Sequence, residues 1–328
     1  MTRKQEQKQK RQDHRDAGPT AEPIADQTGR VYVVTGASGG LGLATCRALA
    51  RRGARVVLAV RDPEKGRRAA ASITTETPGA HLEVRPLDLA DLASVRAFAD
   101  ALRADHTHID VLVNNAGIMA PPHGTSPQGH ELQFATNHLG HFALTGLLLD
   151  LLTAGTDPRV VTVSSPNHRQ GRLDLDGPKS ADGPGGYSPM GHYNRSKLAN
   201  AVFGHQLHLR LTAAGSKVRS VLAHPGYTAT GLQHGTPVRA VRLLYGRLLS
   251  PLAQSPEAGA RSQLYAATEP GVSGGEFIGP GGAGELRGAP TRVALAPRAT
   301  DEHTGRLLWE LSERLTEVRY PLPAPRTS

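Results

Sequence analysis

The sequence predicts an α/β protein: a doubly wound parallel sheet with helices on both faces, three layers in all. Two observations carry that expectation. From Arg30 onward, short β-branched runs alternate with helix-length segments, and β and α units in alternation fold as a parallel sheet covered on both sides. A glycine-rich stretch, TGASGGLG (35–42), falls between the first strand and the first helix, which is where such sheets bind phosphates.

Each element has its own signal. RVYVVTG (30–36) is a β-branched run ending in glycine, the pattern of a buried parallel strand. ATCRALARRG (44–53) reads as a helix stopped by Gly53. RVVLAVRD (55–62) is a second strand, and PEKGRRAAASITTE (63–76) a helix opened by Pro63. HLEVRPLDL, SVRAFADALRAD and IDVLVNNAG repeat the rhythm, and RVVTVSS (159–165) and KVRSVLAHPG (217–226) add two strands. Long helices are expected near 130–153 and 190–214, and a last one in DEHTGRLLWELSERLTEV. Residues 1–28 read as a disordered polar tail, 29–320 as a single domain and 321–328 as a flexible tail. The loop 169–189 and the glycine-rich 271–288 read as flexible.

Composition excludes several classes. With 38% hydrophobic residues the 328-residue chain can bury a substantial core. One cysteine, Cys46, excludes a disulfide framework, and no metal site is expected. No run of about 18 apolar residues suggests a membrane span. The start, MTRKQEQKQKRQDHRD, lacks the apolar centre of a secretory signal, so a cytoplasmic location is expected. The net charge of +9 is no nucleic-acid footprint. Residues 1–16 hold six Lys or Arg against three Asp or Glu, and elsewhere the surplus is dispersed, without a basic cluster interleaved with aromatics.

The candidate site residues follow from the strand ends. Glycines 36, 39, 40 and 42 let backbone N–H groups approach a pyrophosphate at a helix N-terminus. At the end of the second strand, where an acid would bind the ribose hydroxyls of a non-phosphorylated dinucleotide, stands Val60, followed by Arg61. A guanidinium grips phosphate bidentately, so NADP(H) is favoured over NAD(H). The competing assignment has Asp62 on the ribose and Arg61 merely solvated. In GHYNRSKLAN (191–200), Tyr193 and Lys197 are four apart on one helix face, and a nearby cation favours the phenolate.

Together these residues resemble the short-chain dehydrogenase/reductase family, whose fold is a Rossmann-type sheet. The motifs are Thr35-Gly36-x-x-x-Gly40-x-Gly42, Asn114-Asn115-Ala116-Gly117, a serine ending the fifth strand, and Tyr193-x-x-x-Lys197. The glycines also satisfy the Thr-Gly-x-x-Gly-x-x-Gly pattern of the extended branch, but NNAG and the compact spacing favour the single-domain branch. VRDPEKG, NHLGHFALT, SKLAN, HPGYTAT, LYAATEP and ELRG are similar to retinol dehydrogenase-like bacterial oxidoreductases.

The resemblance implies an NADP(H)-dependent interconversion of a carbonyl and an alcohol on a small, in some relatives lipophilic, substrate. Tyr193 would be the general acid or base and Lys197 would lower its pKa and bind the nicotinamide ribose. Ser165 would hydrogen-bond the substrate oxygen, and Asn137 would anchor a water linked to the lysine. Cofactor contacts carried over are Gly36, Ser38, Gly39, Gly40, Leu41, Gly42, Arg61, Asp88, Leu89, Asn115, Ala116, Gly117, Tyr193, Lys197, Pro225, Gly226, Thr228 and Thr230, with Asp88 on the adenine. Asn114 and Asn115 are expected to support the sheet through backbone bonds, and Cys46, His138 and His224 to be packing residues. Family members commonly pair into homodimers or homotetramers through the helices holding Asn137 and Tyr193, and that choice stays open here.

Two features depart from the pattern. The gap of 27 residues between Ser165 and Tyr193 is long and rich in Gly, Pro and Asp, which predicts an enlarged substrate rim. TPVRAVRLLYGRLLSPL (236–252) is amphipathic and resembles the family's substrate lid, about 227–252 with its turn; a membrane-surface contact is the other reading. A catalytically silent dinucleotide-binding sensor or scaffold is the alternative function.

Overall fold

The computed structural model describes residues 24–173, 175, 187–228 and 254–324. Runs of valine and leucine buried on both faces belong in the middle of a parallel sheet, and they are found there. The strands are β1 (Val31–Thr35), β2 (Arg55–Val60), β3 (His81–Pro86), β4 (Val111–Asn114), β5 (Arg159–Val163), β6 (Arg219–Ala223), β7 (Phe277–Pro280) and β8 (Pro290–Arg292). They form an eight-stranded sheet in the order β3-β2-β1-β4-β5-β6-β7-β8. All neighbouring pairs are parallel except the edge pair β7 and β8.

The sheet is wound in two directions from β1. Helices α1 (Gly40–Ala50) and α2 (Pro63–Glu76) carry the chain to β2 and β3, and α3 (Leu92–Asp105) returns it across β1 to β4. At such a reversal the carboxyl ends of the two strands beside the break leave a crevice, here between β1 and β4. After β4 comes a helical run: one α-turn (Leu132–Phe134), a π-helical stretch (Ala135–Leu139), then α4 (Gly140–Leu147) and α5 (Leu149–Ala154). The longest helix, α6 (Pro189–Ala213), follows β5, α7 (Pro256–Thr268) precedes β7, and α8 (Glu302–Thr316) ends the fold. One core, with Phe98, Phe142, Phe203 and Trp309, fills one face of the sheet; a second, with Cys46, Leu49, Ile73 and Leu264, fills the other.

Three differences from the sequence reading stand out, and part of that reading lies outside the described residues. The helix expected near 130–153 is interrupted by the π-helical stretch around Asn137 and a break before Leu149. The glycine-rich 271–288 contains β7, four buried residues paired to β6; Phe-Ile-Gly-Pro is too short and too proline- and glycine-rich to read as a strand without its neighbour. Gln27, inside the expected tail, is buried, and its N–H donates to the Arg52 carbonyl at 2.7 Å. Residues 229–253, covering Thr230 and nearly all of the expected lid, lie outside the described residues, as do 176–186 in the loop before Tyr193.

Candidate active site

The crevice beside β1 holds a cavity of about 590 Å³. Its floor is the glycine-rich turn, with Gly36, Ser38, Gly39, Gly40, Leu41 and Gly42 lining it. The turn is closed so tightly that a Cβ on Gly42 would meet the Gly36 carbonyl oxygen at 2.4 Å, whereas a Cβ on Gly39 would meet nothing within 4 Å. Gly36 itself sits at φ +68°, the left-handed region that glycine occupies without strain. No side chain caps α1 and no acid lies in its first turn. By contrast α2, α3, α6, α7 and α8 each have a side-chain cap from Asp62, Asp91, Ser188, Ser255 and Asp301. The first turn of α1 therefore keeps unpaired N–H groups and its dipole pointed into the cavity, a seat for an anionic diphosphate.

At the end of the cavity beside β2 stand Arg61, Asp62, Lys65 and Asp88, with Leu87 and Leu89 also lining it. Asp62 is already committed: its Oδ1 accepts from the N–H groups of Glu64 and Lys65 at 3.0 and 3.2 Å, capping α2. These two N–H donors and the Lys65 ammonium 3.6 Å from its Oδ2 hold its carboxyl below the usual range. Lys65 escaped the sequence reading; its signal was the single turn of helix that brings it back beside Arg61.

NNAG forms the opposite wall, with Asn115, Ala116 and Gly117 lining the cavity. The asparagines act through more than their backbones. Asn115 donates its amide to the Thr35 carbonyl at 2.7 Å, and Asn114 donates to Thr145 Oγ1 at 2.9 Å. The N–H groups of Asn115 and Ala116 both donate to Thr35 Oγ1 at 2.9 Å. Thr35 in turn contacts His141 Nε2 at 2.9 Å, and His141 Nδ1 donates to the Asn137 carbonyl at 3.0 Å. Burial pushes His141 down to about 4, so it is neutral at physiological pH, and its Nε2 accepts from the threonine.

Beyond Gly117 the predicted catalytic residues converge. A Cβ on Gly117 would lie 3.3 Å from Asn137 Oδ1 and 3.6 Å from Lys197 Nζ. Lys197 is 5% exposed and Tyr193 8%; both project from α6 as the four-residue spacing predicts, with the ammonium 5.8 Å from the phenol ring centre. Burial alone lowers Lys197 to about 8. Its ammonium donates to the Val163 carbonyl at 3.2 Å, two residues before Ser165. Ser164 Oγ donates to the Lys197 carbonyl at 2.8 Å and Asn167 donates to Asn194 at 3.0 Å, so the segment carrying Ser165 rides on the Tyr193 helix. Ser165 Oγ accepts from the Asn167 N–H at 3.2 Å, which uses a lone pair and leaves the O–H to donate.

Asn137 has a more structural engagement than expected. Its side chain accepts from the Ile118 N–H at 2.8 Å and donates to the Ile118 carbonyl and Ser196 Oγ, each at 2.9 Å. One turn earlier Gln133 accepts from the Ala120 N–H at 2.8 Å. Together they pin the segment 118–120, whose Ile118 and Met119 line the cavity and whose buried Ala120 sits at φ +49°. Thr228 Oγ1 donates to the Pro225 carbonyl at 3.0 Å, and both Thr228 and Leu41 lie within 3 Å of the point where a Cβ on Gly259 would stand, which brings the Pro225–Thr228 turn near the glycine-rich loop. His138, Cys46 and His224 are buried, as packing residues would be. Among the described residues no group of three His, Cys, Asp or Glu could hold a metal.

A doubly wound sheet with a diphosphate cradle at its reversal, and a buried Tyr–Lys pair at the cradle's far end, defines a dinucleotide-dependent oxidoreductase. The comparisons agree. A family model for short chain dehydrogenases matches residues 30–175. Human retinol dehydrogenase 13 is 39% identical over 310 residues, covering 91% of this chain and 89% of that protein. Human retinol dehydrogenase 12 is 36% identical over 307 residues, covering 93% and 92%. A solved structure of an uncharacterised protein from Mycobacterium paratuberculosis superposes with a TM-score of 0.76 at 43% identity, covering 93% of this chain and all of that one. A chain from Escherichia coli CFT073, described as a short chain dehydrogenase complexed with NADPH, gives 0.58 at 25% identity over 76% of this chain and 94% of that one. The chain belongs to the short-chain dehydrogenase/reductase family. It is an enzyme acting on CH–OH groups, in a family that binds NAD(P).

Proposed function

We propose that this enzyme is an NADP(H)-dependent carbonyl reductase or alcohol dehydrogenase in which Tyr193 is the general acid/base. The observation that carries the reading is the buried Lys197 ammonium beside Gly117 and Asn137, one helical turn from the Tyr193 phenol. The bound cofactor supplies or accepts the hydride. In reduction, negative charge develops on the substrate oxygen; Tyr193 donates its proton there and the Ser165 O–H donates a hydrogen bond, stabilising that charge. Lys197 holds the phenol's proton loosely by favouring the phenolate, and its depressed pKa keeps it able to exchange protons near neutrality. In oxidation the same phenolate removes the alcohol proton. Asn137 and Gln133 hold the 118–120 segment against which the reacting groups align.

The 2′-phosphate reading rests on Arg61 and Lys65, two cations at the end of the cavity beside β2, and on Asp62 being spent as the α2 cap. The Escherichia coli relative solved with NADPH supports the same choice. The human relatives' names make retinol and its aldehyde the first substrates to try, and with them a lipophilic substrate class. No helix among the described residues is long and apolar enough to cross a membrane, and a cytoplasmic enzyme is the location we propose.

Titration of nicotinamide fluorescence with NADPH and NADH tests the reading on wild type and Arg61→Ala. Wild type is expected to prefer NADPH by tenfold or more, about 1.4 kcal/mol, and the variant to lose that preference. A wild-type preference for NADH overturns the phosphate assignment. Tyr193→Phe is expected to bind NADPH and turn nothing over; a variant as active as wild type removes tyrosine from the chemistry.

A further inference from the structure

The ELRG segment near the C-terminus takes no part in the chemistry above, yet it sits directly behind it. The Pro225–Gly226 turn is seated on it. The Tyr227 N–H donates to the Leu286 carbonyl at 2.9 Å. Gln254 donates to the Leu286 and Pro225 carbonyls at 2.9 and 3.0 Å. Gly226, at φ +68°, lies so close that a Cβ there would meet the Leu286 oxygen at 2.4 Å and the Glu285 oxygen at 2.9 Å.

The Glu285 side chain then lies between two turns. On one side Arg169 donates to both its oxygens at 2.8 and 2.9 Å. Arg169 lies on the 3-10 turn Pro166–Gln170 that Ser165 caps, and its neighbour His168 donates from Nδ1 to the Ser165 carbonyl at 2.7 Å. On the other side His224, buried immediately before Pro225, brings Nε2 to 3.0 Å from Glu285, in range but off the N–H axis. The Gly226 N–H donates to His224 Nδ1 at 3.2 Å, so the hydrogen of the neutral ring is on Nε2, the nitrogen nearer the carboxylate. Glu285 holds this place at φ +56°, a left-handed conformation that disfavours any residue with a Cβ. A glycine would sit there without strain, and backbone strain kept at a site calls for a reason.

We propose that Glu285 is a positioning residue of the reaction centre: its carboxylate, held between Arg169 and His224, fixes the gap between the turn carrying Ser165 and the Pro225–Gly226 turn. The inference rests on the function proposed above, since it is the substrate oxygen at Ser165 and the cofactor at Pro225–Gly226 that this gap aligns.

The test is Glu285→Ala, Glu285→Gln, Arg169→Ala and the Arg169/Glu285 double variant. Hydrogen exchange of the cofactor-free protein is followed alongside NADPH fluorescence and retinal reduction. Expected is faster exchange at 166–171 and at 224–228 in Glu285→Ala, partly restored in Glu285→Gln. Turnover should fall on the order of tenfold to a hundredfold, as for a misaligned reactant, with NADPH affinity within about threefold of wild type. The double variant should be no worse than either single one, because both break the same link. Exchange that changes in only one of the two turns, or turnover that stays at wild-type level while only the melting temperature drops, overturns the proposal. If Glu285→Ala does not fold, Arg169→Ala and Glu285→Gln carry the same comparison. A wild type that binds no NADPH and reduces no retinal would defeat the functional reading instead, and the exchange pattern would still decide whether Glu285 couples the turns.

Discussion

At neutral pH the Lys197 ammonium sits almost out of reach of water, and burial lowers it from 10.5 to about 8. In the unfolded chain the same group keeps its proton until about 10.4. Between those two values the unfolded state binds more protons, so stability should rise with pH across that window, and the cost of burying the charge is present in full below about 8. That cost is about 3 kcal/mol. Lys197→Met, similar in length and uncharged, is therefore expected to melt higher than wild type at pH 7 without cofactor, while losing turnover. Thermal melts at pH 7 and pH 10 check this, because the gain should shrink at the higher pH. An unchanged melt at pH 7 would mean that the ammonium is solvated after all.

The first turn of α2 is where a local sequence signal carries two readings at once. Pro63 and Asp62 together spell a helix start, and the same aspartate is the residue a ribose would recruit in a non-phosphorylated cofactor. The structure favours the cap by giving Asp62 two backbone donors. Asp62→Ala is expected to cost about 1 kcal/mol of stability, as lost caps do, and to leave the preference for NADPH over NADH in place. Denaturant melts and paired titrations measure both; a variant that loses NADH binding selectively would reinstate the ribose role. The π-helical stretch Ala135–Leu139 is an element of the opposite kind. Only the resemblance of Asn137 in TNHLGH to the family's helix-kink asparagine hints at it; helical periodicity does not, because the register shift serves to aim Asn137 at Ile118 in another segment.

On the scale of the whole molecule, α8 and the chain after it cover the helices through which relatives commonly pair. Trp309 packs edge-on to Phe142, ring centres 5.2 Å apart, and lies under the Arg210 guanidinium at 4.2 Å. Tyr320 meets both rings at steep angles, with ring centres 4.9 Å from Phe142 and 4.7 Å from Trp309, and donates its O–H to the Phe142 carbonyl at 2.6 Å. This aromatic group closes the core on that face of the sheet. Trp309→Ala is expected to cost about 3–5 kcal/mol, read as a lower melting temperature with NADPH affinity unchanged. With Phe142 and Phe203 sealed inside the chain, we expect no homodimer through that face. Sedimentation of the wild type tests this, and a dimer that substitutions on the exposed residues of α8, such as Glu310→Arg, dissociate would contradict it.

The alternation of strands and helices along the chain, the glycine-rich cradle and the Tyr193–Lys197 pair were legible because each is local. A β-branched run, a glycine at a turn and a four-residue spacing state their geometry within one element. Much else depended on chain folding back over long distances. Phe277–Pro280 becomes a strand because β6 offers it an edge. Glu285 meets Arg169 across more than a hundred residues, and the cation beside Tyr193 is tuned by burial that no spacing encodes. The sequence by itself determined the fold class and the residue types needed for hydride-transfer chemistry. Only the tertiary structure decided which hydrogen bonds, burial and long-range contacts hold those residues in place, because those depend on neighbours that the chain supplies from elsewhere.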